Sequence, residues 1–385
     1  MIDFLFVSNG YGEDAIGANI AEIISAKYQV AAFPLVGHGK PYQLRGISVV
    51  KSFPALPGEG VSLRKDIQGG LLSLLRLEWK ALSQLHDQVE EAVSIGDIFP
   101  TLLSCWALKR KFSFVGTAKS VDVQPYNVFE RFVLRKASRI YVRDERTATS
   151  LVGKGVKAEW AGNPMMDEVA VSKVHFPAFT GRTIAILPGS REDAPQNLSI
   201  QAEALNALSR NLSTPIRGLV AIPPTLTLQA LLSKFNGWDG MLVANSEPGI
   251  LGQIVHGNVL LLLVSGCLGD VLRASSLVFG QAGTANEQAA GLGKPVIAFD
   301  FSLYRNGTLS WYRWRQKKLL GESLVVVYPN AELLAAKAAN VFQDRTLYLQ
   351  MAEEGKARLG ASGASPKIAE ALMRGIGGTS VPAIT

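Results

Sequence analysis

A doubly wound α/β architecture in two domains is predicted by three features of this sequence. Short apolar runs of strand length alternate with helical patterns along nearly the whole chain, the signature of parallel βα units. Glycine-containing turns stand where several of those runs pass into helix. At 385 residues the chain also exceeds the size at which one core keeps growing, so two domains are expected.

Ile2 to Val7 is a continuous apolar run, as in a strand buried on both faces of a parallel sheet. SNGYGEDAIGANIAEII follows as a glycine-rich turn and a helix with Ile16, Ile20, Ile23 and Ile24 as its apolar residues. Strands are then expected at Gln29 to Val36 and Ile47 to Lys51, a long helix from about Asp66 to Glu91, and strands at Ala92 to Ile95, Phe112 to Gly116 and Ile140 to Arg143. Near Gly162 the pattern breaks into NPMMDEVAVSKVHFPAFTGR, which reads as a linker. Strands resume at Thr183 to Leu187, Ile216 to Ile222, Gly240 to Val243 and Val259 to Val264, with a helix after Pro195. Phe279 to Asp300 reads as strand end, glycine turn, short helix and strand, and helices run from about Ala331 to the mid-370s, ending in a frayed tail. The expected division is a first domain over 1–163, a linker over 164–182, a second domain over 183–345, and C-terminal helices with a tail over 346–385. Two such domains place a ligand cleft between the carboxyl ends of their strands.

Composition narrows the function classes. Hydrophobic residues make up 48% and charged residues 18%, which suits a large folded core and not disorder. The longest apolar run, Val259 to Val264, falls far below the ~18 residues of a membrane-spanning helix. MIDFLFVSNG has no basic leader or cleavage pattern, and Cys105 and Cys267 stand too far apart to suggest a disulfide framework or a metal site, so a cytoplasmic protein is expected. A net charge of +7 favours anionic partners: nucleic acid, phospholipid or a nucleotide-linked substrate. No helix-turn-helix, RRM, KH or zinc-finger signature is present, so nucleic acid is not expected.

Three turns carry chemistry. In Phe279 to Asp300, Gly283 and Thr284 offer backbone N–H groups at a helix start, where the first amides lack intrahelical partners and the helix dipole is positive. That arrangement receives a phosphate, while Glu287, one turn in, is placed to accept hydrogen bonds from ribose hydroxyls. In ILPGSRED, Pro188 and Gly189 fix a sharp exit from a strand, followed by Ser190 and then Arg191, whose guanidinium can make two charge-assisted hydrogen bonds to a diphosphate. The first turn spaces Gly10, Gly12 and Gly17 as G-x-G-x-x-x-x-G, and LVGHGK lacks the acidic residue that would hold an NAD ribose, so NAD is disfavoured. Glu13 and Asp14 sit at that helix start, either as dipole-stabilising caps or as binding groups. No D-x-D pattern of metal-dependent glycosyltransferases occurs, which leaves phosphate charge to Arg191, backbone N–H groups and the helix dipole.

Strand–LPGSR, the glycine–threonine turn with its early glutamate and G-K-P, and the opening S-N-G-Y-G-E-D-A-I-G-A together resemble lipid-A-disaccharide synthase, most closely its related branch in cyanobacteria. The resemblance runs from Ser8 to about Asn330. It implies a GT-B glycosyltransferase of two Rossmann-like domains, with a UDP-sugar held mainly by the second, a lipid acceptor approached from the first, and neither metal nor cofactor. By matching position it implies Asp97 of SIGDIFP as candidate general base and Glu13 and Asp14 as the acidic turn at the acceptor side, that pair being the alternative base; Gly12 in the same turn and His38 of VGHGK are acceptor-side candidates from the sequence itself. It likewise implies Arg191 for the donor diphosphate and Gly283, Thr284 and Glu287 for the donor turn and ribose, with Gly189, Ser190 and Asn286 beside them as further donor-site candidates. Asn286 replaces the apolar residue usual before that glutamate. The later P-N and leucine pair of the synthase has only a partial counterpart in Tyr328, Pro329 and Asn330.

Two stretches suit an anionic bilayer surface, where each basic residue contributes ~1 kcal/mol. One is LRKDIQGGLLSLLRLEWKALSQL, with Arg64, Lys65, Arg76, Lys80 and Trp79; the other is WYRWRQKKLL, with Trp311, Arg313, Trp314, Arg315 and Lys317. The expected partners are thus a UDP-sugar, a lipid or lipid-linked acceptor and an anionic inner-membrane surface contacted peripherally, with a homodimer admitted. A UDP-sugar 2-epimerase and a non-catalytic GT-B-like membrane-binding protein are the alternatives.

Overall fold

The computed structural model describes residues 1–53, 71–170, 174–223, 226–232, 239–241 and 249–375. The chain divides into two compact units, the first comprising Met1–Glu168 and the segment from Ser362 onward, the second Val169–Ala361.

In the first unit the elements follow in the order β1 (Ile2–Ser8), α1 (Tyr11–Ser25), β2 (Val30–Pro34), α2 (Lys40–Leu44), β3 (Ser48–Val49), α3 (Leu71–Ser83), β4 (Val89–Gly96), α4 (Ile98–Leu103), β5 (Lys111–Gly116), α5 (Val128–Leu134), β6 (Ile140–Val142) and α6 (Glu145–Val152). The strands form one parallel sheet in the order β3-β2-β1-β4-β5-β6. β1 is apolar on both faces because helices cover both, and Phe4, Leu5, Phe6 and Val7 are all fully buried. Leu5, Val7, Phe33, Leu82 and Phe112 belong to one cluster of its core.

The helix expected from Asp66 to Glu91 is shorter among the described residues: it ends at Ser83, and Glu90 and Glu91 belong to β4. Glu91 is fully buried, where Lys111 Nζ at 2.7 Å and the Ser113 hydroxyl satisfy its carboxylate. A residue that reads as helix surface is thus an interior strand residue with its charge paired.

The second unit contains β7 (Arg182–Leu187), α7 (Ala194–Leu212), β8 (Ile216–Ile222), α8 (Leu228–Leu232), β9 (Asp239–Met241), β10 (Ile250–His256), β11 (Val259–Ser265), α9 (Leu268–Ala274), β12 (Leu277–Gly280), α10 (Thr284–Gly291), β13 (Val296–Phe299), α11 (Phe301–Asn306), α12 (Trp311–Leu320), β14 (Leu324–Val327), α13 (Ala331–Gln343) and α14 (Arg345–Leu359). Its sheet runs β14-β13-β12-β7-β8-β11-β10-β9. β10, absent from the sequence expectation, is antiparallel to both of its neighbours, and the other pairings are parallel.

The last helix, α15 (Ala364–Met373), belongs to the first unit and packs on α1. Asp167 fastens its start by accepting from the N–H of Gly363 and, at 2.7 Å, from that of Ser365. Of the expected linker, 164–169 forms a short 3-10 turn and β7 begins at Arg182. Residues 171–173, Arg64, Lys65, the far end of the expected Gly240 to Val243 strand and the tail after Gly375 lie outside the described residues. No helix among the described residues is long and apolar enough to cross a membrane.

Each sheet reverses its winding once. In the first unit the chain moves outward from β1 through β2 to β3 and then returns to place β4 on the other side of β1. In the second it moves from β7 toward β8 and β11, then returns to place β12 against β7. Open α/β sheets bind ligands beyond the carboxyl ends of the strands at such reversals.

Candidate functional site

At the first reversal Asn9 leaves β1 and Asp97 leaves β4. Asp97 is the N-cap of α4, its carboxylate accepting from the Phe99 N–H at 2.8 Å. Burial pushes its carboxyl above the ordinary aspartate value, while hydrogen bonds from Phe99 and the Asn9 side chain, and the Lys119 charge, pull it back part of the way. Glu13, in the first turn of α1, is also raised by burial; its own amide opposes the rise and the charge of Asp97 adds to it. The Asp97 charge thus disfavours the ionisation of Glu13, and both carboxyls stand above their ordinary values chiefly through burial.

Backbone and neighbouring charges set this geometry. Gly96 has φ +120°, and a Cβ there would lie 2.5 Å from Asn9 Oδ1 and 3.1 Å from Glu13 Cγ. Only glycine lets the Asn9 and Glu13 side chains come this close to β4. Lys119, on the loop after β5, bonds Glu130 at 2.6 Å, and Glu130 is held in turn by a capping box with Asn127 at the start of α5. Asp14 is built differently: it is buried, accepts from the Ser8 hydroxyl at 2.6 Å, and through Ser8 reaches the Tyr42 hydroxyl at 3.0 Å. Burial raises it to about 7 against the pull of that bond, with the Glu13 charge adding. Asp14 braces α1 against β1 from inside, whereas Glu13 and Asp97 are half-exposed at the sheet edge.

At the second reversal the Gln281 N–H donates to the Leu187 carbonyl at 2.7 Å and ties the turn after β12 to the turn after β7. Gly189 has φ +96°, and Asn197 Nδ2 holds the Pro188 carbonyl at 3.0 Å, fixing the turn to α7. Ser190 and Arg191 emerge exposed beyond it. Gly283 precedes α10, and the amides of Asn286 and Glu287 fold back onto its carbonyl at 3.0 and 3.4 Å. By helix geometry the amides of Thr284 and Ala285 have no intrahelical acceptor and point outward, a phosphate-receiving arrangement. Glu287 is half-exposed one turn in.

Beneath this turn lies a polar brace. Gln316 Nε2 donates to the carbonyls of Ala282 and Gly283 at 3.0 and 3.3 Å, and Asn286 Nδ2 donates to Gly280 O and Gln316 Oε1 at 3.1 and 3.2 Å. Arg313 donates to Gln316 and Gln281. Asp300 caps α11 through Ser302 and accepts from the Ser310 amide and hydroxyl at 2.7 and 2.8 Å. Burial opposes its ionisation, yet those hydrogen bonds and Arg313 hold it below the ordinary value.

The expected residues therefore sort into groups. Glu13 and Asp97 come together in the first unit; Gly189, Ser190, Arg191, Gly283, Thr284 and Glu287 surround the second reversal. Asn286 is fully buried, so it supports the turn from below. Gly12 is exposed in the first turn of α1, and His38 is exposed on the loop after β2, its carbonyl accepting from Gln43 at 3.0 Å. Among the expected membrane residues Trp79, Trp311 and Trp314 are exposed, while Lys317 bonds the Leu324 carbonyl at 2.8 Å and Arg315 lies over the Trp311 ring. Arg313 is corrected: it is 4% exposed and spent on the brace, so it offers no charge to a surface.

Sequence reasoning missed Asn9, Lys119 and Glu130 around Asp97, and Gln281, Tyr312 and Gln316 around the glycine turn. One local signal existed for the brace, since Arg313 and Gln316 stand three apart and share a helix face.

No protein-family model matches the chain, and no curated protein matches it. Solved structures do. A putative UDP-N-acetylglucosamine 2-epimerase from Listeria monocytogenes superposes with a TM-score of 0.65 at 13% identity, each chain covered in full. The UDP-GlcNAc 2-epimerase from Neisseria meningitidis, solved bound to UDP-GlcNAc, gives 0.59 at 15% over 97% of this chain and 100% of its own. The calicheamicin glycosyltransferase CalG4 gives 0.63 at 12% over 99% of this chain and 100% of its own. The fold is GT-B, with two Rossmann-like α/β units.

Proposed function

We propose that the protein is a UDP-sugar enzyme, and specifically an inverting glycosyltransferase that moves a sugar to the hydroxyl of a lipid or lipid-linked acceptor without a metal. The observation that carries this reading is the second reversal, where a glycine-led helix start, Arg191 and Glu287 meet at one sheet edge. These groups match a nucleoside diphosphate: amides and guanidinium for the phosphates, carboxylate for the ribose. Asp97, raised by burial and braced by Asn9 and Lys119, takes the proton from the acceptor hydroxyl as it attacks the anomeric carbon. Arg191 and the Gly283 turn stabilise the departing UDP. The resemblance to lipid-A-disaccharide synthase supports the lipid acceptor, and exposed Trp79, Trp311 and Trp314 support a peripheral place at the cytoplasmic face of the inner membrane.

The second reading is a UDP-sugar 2-epimerase, favoured by the epimerases among the similar structures. An epimerase needs no acceptor. Purified protein is incubated with radiolabelled UDP-sugars, with and without host membrane lipids. Label in a lipid product only when lipid is present supports transfer, and an epimeric UDP-sugar formed without lipid supports the second reading. UDP binding with neither product marks a non-catalytic binding protein. Arg191→Ala lowers UDP affinity and turnover together; wild-type values for both would remove Arg191 from the donor site.

A further inference from the structure

We infer that Tyr312 is a ligand of the donor diphosphate, its hydroxyl donating to a phosphate oxygen from above the Gly283 turn while its ring orients Arg191. This rests on the UDP-sugar reading and assigns part of α12 to the donor site, where sequence alone gave the stretch to a membrane surface.

Three geometric relationships support it. A Cβ on Gly283 would lie 2.8 Å from the Tyr312 hydroxyl, so the phenol hangs directly over the turn whose amides face outward. The Arg191 guanidinium lies 5.7 Å from the centroid of the same ring, within cation–π range. The next residue along, Arg313, is locked into the brace by Gln281 and Gln316, and Ser310 at the helix start is held by Asp300. Tyr312 therefore stands on a helix anchored on either side of it, at a set height over the turn. Part of its surface, 36%, is open to a ligand.

The chemistry fits an anion. Burial pushes the phenol above its ordinary value, and the charges of Arg313, Arg191 and Arg315 act on it against that of Glu287. The hydroxyl keeps its proton throughout the neutral range and acts as a donor. With Arg191 at one side and the Thr284 and Ala285 amides below, an oxygen of the diphosphate meets donors from three directions. Glu287 stands one turn in, where the ribose falls.

The test is calorimetric titration of the full chain with UDP, uridine and inorganic pyrophosphate. Tyr312→Phe keeps the ring and removes the hydroxyl; Tyr312→Leu removes both. The expected result is a loss of UDP and pyrophosphate affinity of about ten- to 150-fold in Tyr312→Phe, the weight of one hydrogen bond to a charged group, with a further loss in Tyr312→Leu. Uridine affinity and the melting temperature stay at wild-type values. Unchanged UDP affinity in Tyr312→Phe overturns the inference, as does an equal loss for uridine, which would make Tyr312 a contact of the nucleoside. If wild-type protein binds pyrophosphate but not UDP, and Tyr312→Phe weakens the pyrophosphate, the anion grip stands and the nucleotide reading falls.

Discussion

The Ser8 hydroxyl lies 2.6 Å from the Asp14 carboxylate, inside the first unit and away from solvent. Asp14 thus titrates within the protein and imposes a pH dependence on folding. Its value is raised from 3.8 to about 7, so between those limits the folded chain holds a proton that the unfolded chain has lost. Stability therefore falls as pH rises from about 4 to about 7 and is level above. At ~1.4 kcal/mol per tenfold change in proton affinity, the rise from 3.8 to about 7 contributes on the order of 4 kcal/mol. Asp14→Asn removes this slope and stabilises the protein at pH 8 by about 1–3 kcal/mol, read from urea unfolding at pH 4.5 and 8. A shallower slope of the same sign persists, because Glu78 is also raised to about 7 by burial. An unchanged slope in Asp14→Asn would mean that Asp14 is ionised in the fold.

Asp97→Asn separates chemistry from donor binding. Turnover falls by about two to four orders of magnitude, the usual weight of a general base, while UDP affinity stays within about twofold, since Asp97 belongs to the other unit. In the wild type, activity is lost as pH falls through a value above the ordinary aspartate range, because the base must be ionised and burial resists it. Lys119→Met moves that acid limb further up, since it deletes the cation that favours the ionised form. A limb that stays put in Lys119→Met disconnects the lysine from the base.

Gly283→Ala tests the height of Tyr312 over the donor turn. The new methyl meets the phenol oxygen at 2.8 Å, which the ring relieves by swinging away from Arg191. UDP affinity drops about tenfold with less than ~1 kcal/mol lost in stability, as expected for a clash with the end of one side chain. The double variant with Tyr312→Phe binds UDP no worse than Gly283→Ala alone, because the clashing oxygen is gone. Losses that simply add would show that the two positions do not touch.

How much of this could be read from sequence differs between elements. β8 was legible to the residue, because a strand of Ile216, Leu219, Val220 and Ile222 buried in a parallel sheet leaves an apolar run. The turns at Gly189 and Gly283 were legible as turns, because in each a strand end, a glycine and a change of direction fall within a few residues. The brace was not, since the partners of Arg313 and Gln316 lie about thirty positions upstream. A basic residue that is exposed and one that is buried among distant amides look the same in a local pattern. Glu91 failed for the same reason, its partners Lys111 and Ser113 standing about twenty positions away in sequence. β10 was missed because Gly252 and Gln253 interrupt its apolar alternation.

Arg313→Met follows from that misreading. Removing a buried guanidinium takes a donor from Gln281, leaves Gln316 Oε1 with Asn286 alone and takes the nearby cation from Asp300, which costs about 2–4 kcal/mol and lowers the melting temperature. Trp311→Ser and Trp314→Ser, on the exposed side of the same helix, change stability by less than ~0.5 kcal/mol and reduce co-sedimentation with anionic vesicles. If Arg313→Met is as stable as the wild type, the brace does not contribute to the fold.

The return of α15 to the first unit has a consequence for synthesis. Ile368 and Leu372 are fully buried there, and their helix lies beyond the whole second unit in sequence. A ribosome that has finished Glu168 must still add about 190 residues before that helix emerges, roughly 10–40 s at ~5–20 residues per second. Through that interval the face of α1 that α15 covers stands open on the nascent chain. The unit translated first is the last to be completed.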